Sequence, residues 1–485
     1  MNRVNTNPQE QLKHILHPWE AMGDFPNDWR GFLSHAEGIY VYDSEGKKLI
    51  DGPAGMWCTQ VGYGRRELAD TMAEQAMKMA YYSPWNFDHP LTTELAAQLA
   101  ARSPGDLNTV SFTTGGSTAV DTALRFVMFY NNVKGRPDKK HILCRDAGYH
   151  GSTYLAASVT GKDRDRNYFD FITDTVHRLS APNPYKRPEG MSVEDFTASL
   201  LKEFEDKVLE LGADKVAAFI AEPIQASGGV IVPPPGYLTG CRDLCTKHDI
   251  IYISDEVVTA FGRLGHWFAS EDVFGIVPDI ITCAKGLTSG YVPMGAALFS
   301  DSLIAEVSGE ENEGINFVNG FTYSGHPVAS AVALKNIEIM EREGILEHAR
   351  EISPYFQQKL KELEDIPIVG EVRGMGLVGC VECVITGTAA SEKEKADAVA
   401  TSGTVESAAD RKKALKLDKA IGSRIDEHCL ELGLVVRPLY NMCVMSPPLI
   451  ITKAQVDDMV SILREGILRA QADVEREGLW SPDVA

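Results

Sequence analysis

Two charged residues end long apolar runs in this chain of 485 residues. The run IIYIS meets Asp255 and Glu256, and DIITCA meets Lys285 thirty residues after Asp255. A lysine at the end of a buried strand is costly, because its ammonium loses water. Burial lowers its proton affinity and makes the amine a nucleophile. Taken singly, Asp255 fits a partner for a cationic ligand group, a metal ligand or a solvated loop residue. Lys285 taken singly also fits a lysine that has already emerged into water. The two together end successive strand candidates, and in open α/β sheets ligands bind at the carboxyl ends of strands. A nucleophilic amine near a carboxylate that can hold a protonated ring nitrogen is what pyridoxal phosphate requires.

A third segment points the same way. TTGGSTAVD (113–121) reads as a strand end, two glycines and a hydroxyl residue at a helix start. Backbone amides and the helix dipole at such a place suit a phosphate. A plainly capped helix with Ser117 as N-cap is the simpler alternative. Other motifs are set aside. GMGLVG (374–379) has G-x-G-x-x-G spacing, but the CVECVI that follows alternates like a strand, and a dinucleotide site needs a helix there. Cys380 and Cys383 form a C-x-x-C inside that strand-like run, so they point to opposite faces. Cys241 and Cys245 have helical spacing, and no H-E-x-x-H occurs, so buried thiols and no metal site are expected.

Positioning these residues requires a sheet. Short runs at 109–114, 141–145, 216–223, 249–258, 279–285 and 295–300 read as strands, with helical segments such as 119–130 and 236–249 between them. Near-continuous apolar strands alternating with helices predict a mostly parallel sheet covered on both faces. Residues 38–52 read as a hairpin around Ser44-Glu45-Gly46, followed by helices near 65–80 and 90–102. After a long helix at 327–343 comes a smaller α+β region, with strands near 368–384 and 434–446. Segment 385–415 is rich in Ala, Ser, Thr and charge and reads as a surface insertion. The expected organisation is an arm and part of a small domain over 1–60, a large domain over 61–330, and a C-terminal small domain over 331–485.

The whole chain carries a formal charge of −21 and no Lys/Arg cluster. Nucleic acid and anionic membrane surfaces are therefore not expected partners. No apolar run is long enough to span a bilayer. Nine cysteines, an odd count, without an apolar leader fit reduced thiols in the cytoplasm.

The ordered set GPAGMWCTQVGYG, FTTGGSTAVD, GYHGST, FIAEPIQASGGVIVPPPGY, ISDEVVTAFGRLGHWFASE, PDIITCAKGLTSGYVPMGA, GFTYSGHPVASAVAL and VRGMGLVG resembles the class III (omega) aminotransferases, pyridoxal-phosphate enzymes of fold type I. The resemblance runs from about residue 20 to 470. It implies a large cofactor domain with a mostly parallel sheet and a smaller α+β domain built from both chain ends. It implies that Lys285 bonds the cofactor aldehyde and later shuttles a proton, while Asp255 holds the pyridine nitrogen protonated. Val257 and Tyr149 would cover the two ring faces, with His150 and Gly151 completing the tyrosine's motif. Gly116 and Ser117 match the phosphate loop, and Glu222 a glutamate near the ring hydroxyl. Thr322 resembles a threonine that reaches the neighbouring subunit's phosphate, which implies a homodimer with shared sites or a dimer of dimers. Trp57, Trp85 and Phe87 fall where the family places pocket aromatics. Arg437 aligns with a mobile arginine that pairs with a substrate carboxylate. The family's usual loop S-G-S-E-A-N reads G-G-S-T-A-V here, with Gly115, Thr118 and Val120 replacing a serine, a glutamate and an asparagine.

The expected function is a ping-pong transaminase that moves nitrogen from a primary amine or omega-amino acid to a keto acid such as pyruvate. The cofactor would alternate between its pyridoxal and pyridoxamine forms. Same-fold decarboxylation, racemisation or intramolecular amino transfer is the nearest alternative. A non-catalytic protein on this scaffold is an alternative of another class.

Overall fold

The computed structural model describes residues 12, 14–23, 25, 31–163, 166, 168–384 and 408–481. The chain begins with β1 (Leu33–Glu37), β2 (Tyr40–Asp43), β3 (Lys48–Asp51), α1 (Arg66–Lys78) and α2 (Pro90–Ala100). Then come β4 (Thr109–Thr113), α3 (Gly116–Val133), β5 (His141–Arg145), α4 (Tyr154–Ser158), β6 (Val176–Leu179) and α5 (Val193–Leu211). β7 (Val216–Ala221), α6 (Tyr237–Lys247), β8 (Ile251–Asp255), β9 (Ile280–Cys283), β10 (Gly295–Phe299) and α7 (Asp301–Ala305) follow. The C-terminal part holds α8 (Pro327–Arg342), α9 (Ile345–Lys361), β11 (Val369–Met375), β12 (Val378–Cys383) and α10 (Ala408–Leu432). It ends with β13 (Leu434–Val435), β14 (Arg437–Leu439), β15 (Met442–Met445) and α11 (Lys453–Arg476).

Seven strands form the central sheet in the order β4-β10-β9-β8-β7-β5-β6. The five strands from β9 to β6 run parallel, while β10 is antiparallel to both of its neighbours. Every residue of β7 and β8 is buried. Alternation assigns them to two faces. Ile220 and Ile253 pack with Ala123, Leu124 and Val127 of α3. Phe219 and Tyr252 pack with Phe204 and Val208 of α5 and Cys241 of α6. Each fully buried Ile, Leu, Val or Phe among them contributes about 1.5–3 kcal/mol, so both helical layers hold the strand ends in place.

Two smaller sheets complete the fold. β1-β2-β3-β13 joins the chain's ends, with Leu434 in parallel register with Ile50. β11-β12-β15-β14 is antiparallel. GMGLVG lies across the β11–β12 hairpin, so no helix follows it. Cys380 and Cys383 enter different core clusters, as opposite faces of one strand require. All nine cysteines are free, and no group of three metal-ligating side chains gathers among the described residues. Of the segment read as an insertion, 385–407 lies outside the described residues, whereas 408–415 begins α10. No helix among the described residues is long and apolar enough to cross a membrane.

Candidate active site

β8 and β9 lie side by side, with Asp255 opposite Thr282. Their carboxyl ends meet the floor of a cavity of about 820 Å³. Lys285 stands two residues beyond β9 and opens a short 3₁₀ turn at φ 39°. A non-glycine residue held in that region costs about 1–3 kcal/mol. The buried Asn336 of α8 opposes the strain: its Nδ2 donates to the carbonyls of Gly286 (2.9 Å) and Leu287 (3.1 Å). Its Oδ1 accepts from Ser289 Oγ at 2.7 Å. Burial pulls the Lys285 ammonium below its ordinary proton affinity, and the negative charge of Asp255 partly opposes that.

Asp255 is buried and held from three sides. The His150 ring stands 2.7 Å away, Nδ1 to Oδ2. The Val257 amide and the Thr282 hydroxyl each donate to Oδ1 at 3.2 Å. Glu222 is also buried, at the end of β7. It accepts from the Tyr149 amide (2.9 Å) and the Ala226 amide (3.2 Å), and burial raises its carboxyl pKa. Glu222 thereby anchors the loop that brings Tyr149 and His150 to the cavity.

The N-terminus of α3 opens on the same space through Gly115, Gly116 and Ser117. The helix starts at Gly116 with Gly115 as N-cap, so Ser117 is not the cap. Its hydroxyl accepts instead from the Ser152 amide at 3.1 Å. A Cβ on Gly116 would stand 3.0 Å from Val257 Cγ1, and one on Gly151 would stand 2.6 Å from Ser117 Oγ. Only glycine lets the two loops close here. A Cβ on Gly115 would meet no protein atom within 4 Å and would face the open cavity. Thr118 ties the loop, donating to the Gly115 carbonyl (2.8 Å) and accepting from the Thr114 amide (3.2 Å).

Trp57 is buried on the cavity wall, its ring centroid 5.7 Å from Lys285 Nζ and 5.5 Å from the Arg437 guanidinium. Arg437 also lines the cavity, with Nη1 2.6 Å from Met56 Sδ. Trp85 and Phe87 are 88% and 69% exposed and line no part of this cavity. Thr322 is exposed and outside it too, its carbonyl accepting from the Tyr81 hydroxyl.

The sequence reading missed Trp19, Met56, Lys162 and Lys419, all of which line the cavity. Lys162 Nζ donates to Ser227 Oγ at 2.8 Å and lies 5.2 Å from the Tyr149 ring centroid. No motif marks Trp19, Lys162 or Lys419, whereas Met56 lies inside GPAGMWCTQVGYG. Met56, beside Trp57, was the nearest to hand.

The donor set fits pyridoxal phosphate. One cavity holds a lysine of lowered proton affinity, a fixed carboxylate, a helix N-terminus with glycine-backed amides, and Tyr149 and Val257 as flat apolar walls. The comparisons agree. The family model for class-III aminotransferases matches residues 27–467, and the chain belongs to that family. It is 39% identical over 463 residues to a putrescine–pyruvate aminotransferase of Pseudomonas aeruginosa, covering 95% of both chains. It is 37% identical to a mitochondrial gamma-aminobutyrate transaminase of Oryza sativa, covering 90% of this chain and 80% of that one. An (S)-enantioselective omega-transaminase from Thermomicrobium roseum superposes with a TM-score of 0.85 at 38% identity, over 96% and 97% of the two chains. An omega-transaminase from Pseudomonas jessenii in complex with PMP gives 0.88 at 32% identity, over 97% and 99%. The protein is an aminotransferase that works with pyridoxal phosphate.

Proposed function

We propose that this aminotransferase takes nitrogen from a primary amine or omega-amino acid and delivers it to a keto acid such as pyruvate, with Lys285 and Asp255 as its catalytic pair. The observation that carries the assignment is that both residues end adjacent parallel strands on one cavity floor. When bound, the cofactor supplies an electron-accepting ring that makes the carbon bearing the amine acidic.

The chain's own residues then divide the work. Lys285 Nζ would hold the cofactor in the resting enzyme and, once the incoming amine has displaced it, the freed amine would carry a proton from the amine-bearing carbon to the cofactor side. Asp255 would keep a proton at the pyridine nitrogen, and His150, Val257 N and Thr282 Oγ1 keep that carboxylate in place. Glu222 holds the Tyr149–His150 loop, and Tyr149 and Val257, which line the cavity, would confine the cofactor ring. The amides of Gly116 and Ser117, at the helix N-terminus on the cavity, would receive the phosphate. Trp57 walls the substrate side, and Arg437 pairs with a substrate carboxylate. This residue assignment predicts that Lys285→Ala makes no alanine from pyruvate with any amine. Alanine formed by that variant at a near-normal rate would refute it.

We also read a second copy of the chain over the face that carries Thr322, Trp85 and Phe87. Tyr82 packs edge-on to Phe87 at 5.9 Å and Tyr81 to Tyr323 at 5.5 Å, and Tyr82, Trp85, Phe87 and Tyr323 are all exposed. Such a face is larger than isolated apolar residues require. Sedimentation of the purified protein as a dimer or tetramer supports this, and a monomer refutes it. The boundaries near 60 and 330, and a cytoplasmic location, complete the proposal.

A further inference from the structure

The cavity wall carries charge of one sign where a substrate must enter. Its two described carboxylates, Glu222 and Asp255, are buried and held by hydrogen bonds to their own surroundings. Apart from Lys285 on the floor, which the cofactor would take up, its lysine and arginine side chains are Lys162 against Ser227, Arg437 and Lys419. Arg437 is close enough for its charge to lower the proton affinity of Lys285. Lys419 is exposed, and its Nζ lies 5.7 Å from the Tyr440 ring centroid.

The placement of Lys419 is fixed by close packing. A Cβ on Gly422 would fall 1.8 Å from the Tyr440 carbonyl oxygen and 3.0 Å from Pro438 Cβ. Only glycine therefore lets α10 lie directly on the segment that follows Arg437. Lys419 and Ser423, three residues before and one after that glycine, turn toward the cavity along with it. Lys419 forms no ion pair among the described residues, whereas Lys134, Lys202 and Lys247 each pair with a carboxylate.

We propose that Lys419 is a specificity-determining residue, a second cation at the cavity mouth that selects amine donors whose far end carries a carboxylate or similar anion. It does so beyond the reach of Arg437, and it disfavours diamines, whose far end is an ammonium. The inference rests on the transaminase reading above. It separates two substrate classes named for relatives of similar identity, a diamine and an omega-amino acid.

The test uses the holoenzyme with pyruvate and three donors of matched length: 6-aminohexanoate, 1,6-diaminohexane and hexylamine. In the unmodified enzyme kcat/KM for the amino acid exceeds that for the diamine, and the ratio falls between low salt and about 0.5 M salt. Lys419→Glu shifts that ratio toward the diamine by on the order of tenfold, and Lys419→Gln by a smaller factor. Binding of adipate, which has no amine to transfer, weakens in both variants. An unchanged donor ratio and unchanged adipate affinity in Lys419→Glu, with hexylamine still turned over, overturn the role of Lys419 and leave the transaminase reading standing. No alanine from any of the three donors would overturn both.

Discussion

His150 Nδ1 and Asp255 Oδ2 meet at 2.7 Å, with both side chains buried. Asp255 therefore reaches the cavity with its orientation set by a residue more than a hundred positions away. A hydrogen bond to a charged group contributes about 1.5–3 kcal/mol. His150→Phe should lower kcat by roughly tenfold or more, with a smaller change in the KM for the amine. Steady-state kinetics check this, and an unchanged kcat would show that the contact does not position the carboxylate.

The wall around Trp57 depends on Asp51. Ala54, Gly55 and Trp57 all have positive φ. The buried Asp51 carboxylate accepts from the Gly55 amide at 2.7 Å and the Tyr63 hydroxyl at 2.5 Å. Asp51→Asn removes the charge from that acceptor, and the segment should lose about 1–3 kcal/mol of stabilisation. Thermal denaturation should register the loss, and KM for an aryl amine should rise, because Trp57 is no longer held. Tyr63→Phe should show the same pattern more weakly.

Lys285 gives a pH dependence. Burial lowers its pKa from the ordinary 10.5, Asp255 opposing. Capture of pyridoxal phosphate by the cofactor-free protein needs the neutral amine, so its rate should climb with pH and level off before 10.5. Stopped-flow absorbance follows this directly. A rate still climbing beyond that pH would contradict the lowered proton affinity.

A second titrating group acts on stability. Burial raises the Asp426 carboxyl from 3.8 to about 6, with the charge of Glu427 adding to it. The folded state thus holds the proton more tightly than the unfolded one. Stability from this group is full below about pH 4 and is lost as pH rises through about 6. Asp426→Asn should then stabilise the fold by about 1–2 kcal/mol near neutral pH, allowing for the residue's partial exposure. At pH 4 the gain should vanish. Denaturant titrations at the two pH values make the comparison.

Much of this site was legible because its parts end buried strands. The runs before Asp255 and Lys285 are mostly apolar and buried at every position, which marks strands covered on both faces, and a charge that ends one is conspicuous. The antiparallel direction of β10 was not legible, since GAALF is equally apolar whichever way it runs. Trp19 comes from an arm without periodicity, and Lys162 from an irregular stretch between elements. Lys419 lies just beyond a polar segment that reads as an insertion. Each reaches the cavity through long-range packing, which leaves no local pattern. Trp85, Phe87 and Thr322 stayed outside the cavity of this single chain because their face is open to solvent.

The most direct measurement separates the two half-reactions. Holoenzyme is mixed with a primary amine in the absence of any keto acid, and the visible band of the lysine-bound cofactor is followed. It should disappear with release of one carbonyl product per site, and pyruvate added afterwards should restore it while forming one alanine per site. A carbonyl or decarboxylated product that keeps accumulating without a keto acid, or a band that never responds to amines, would contradict the account.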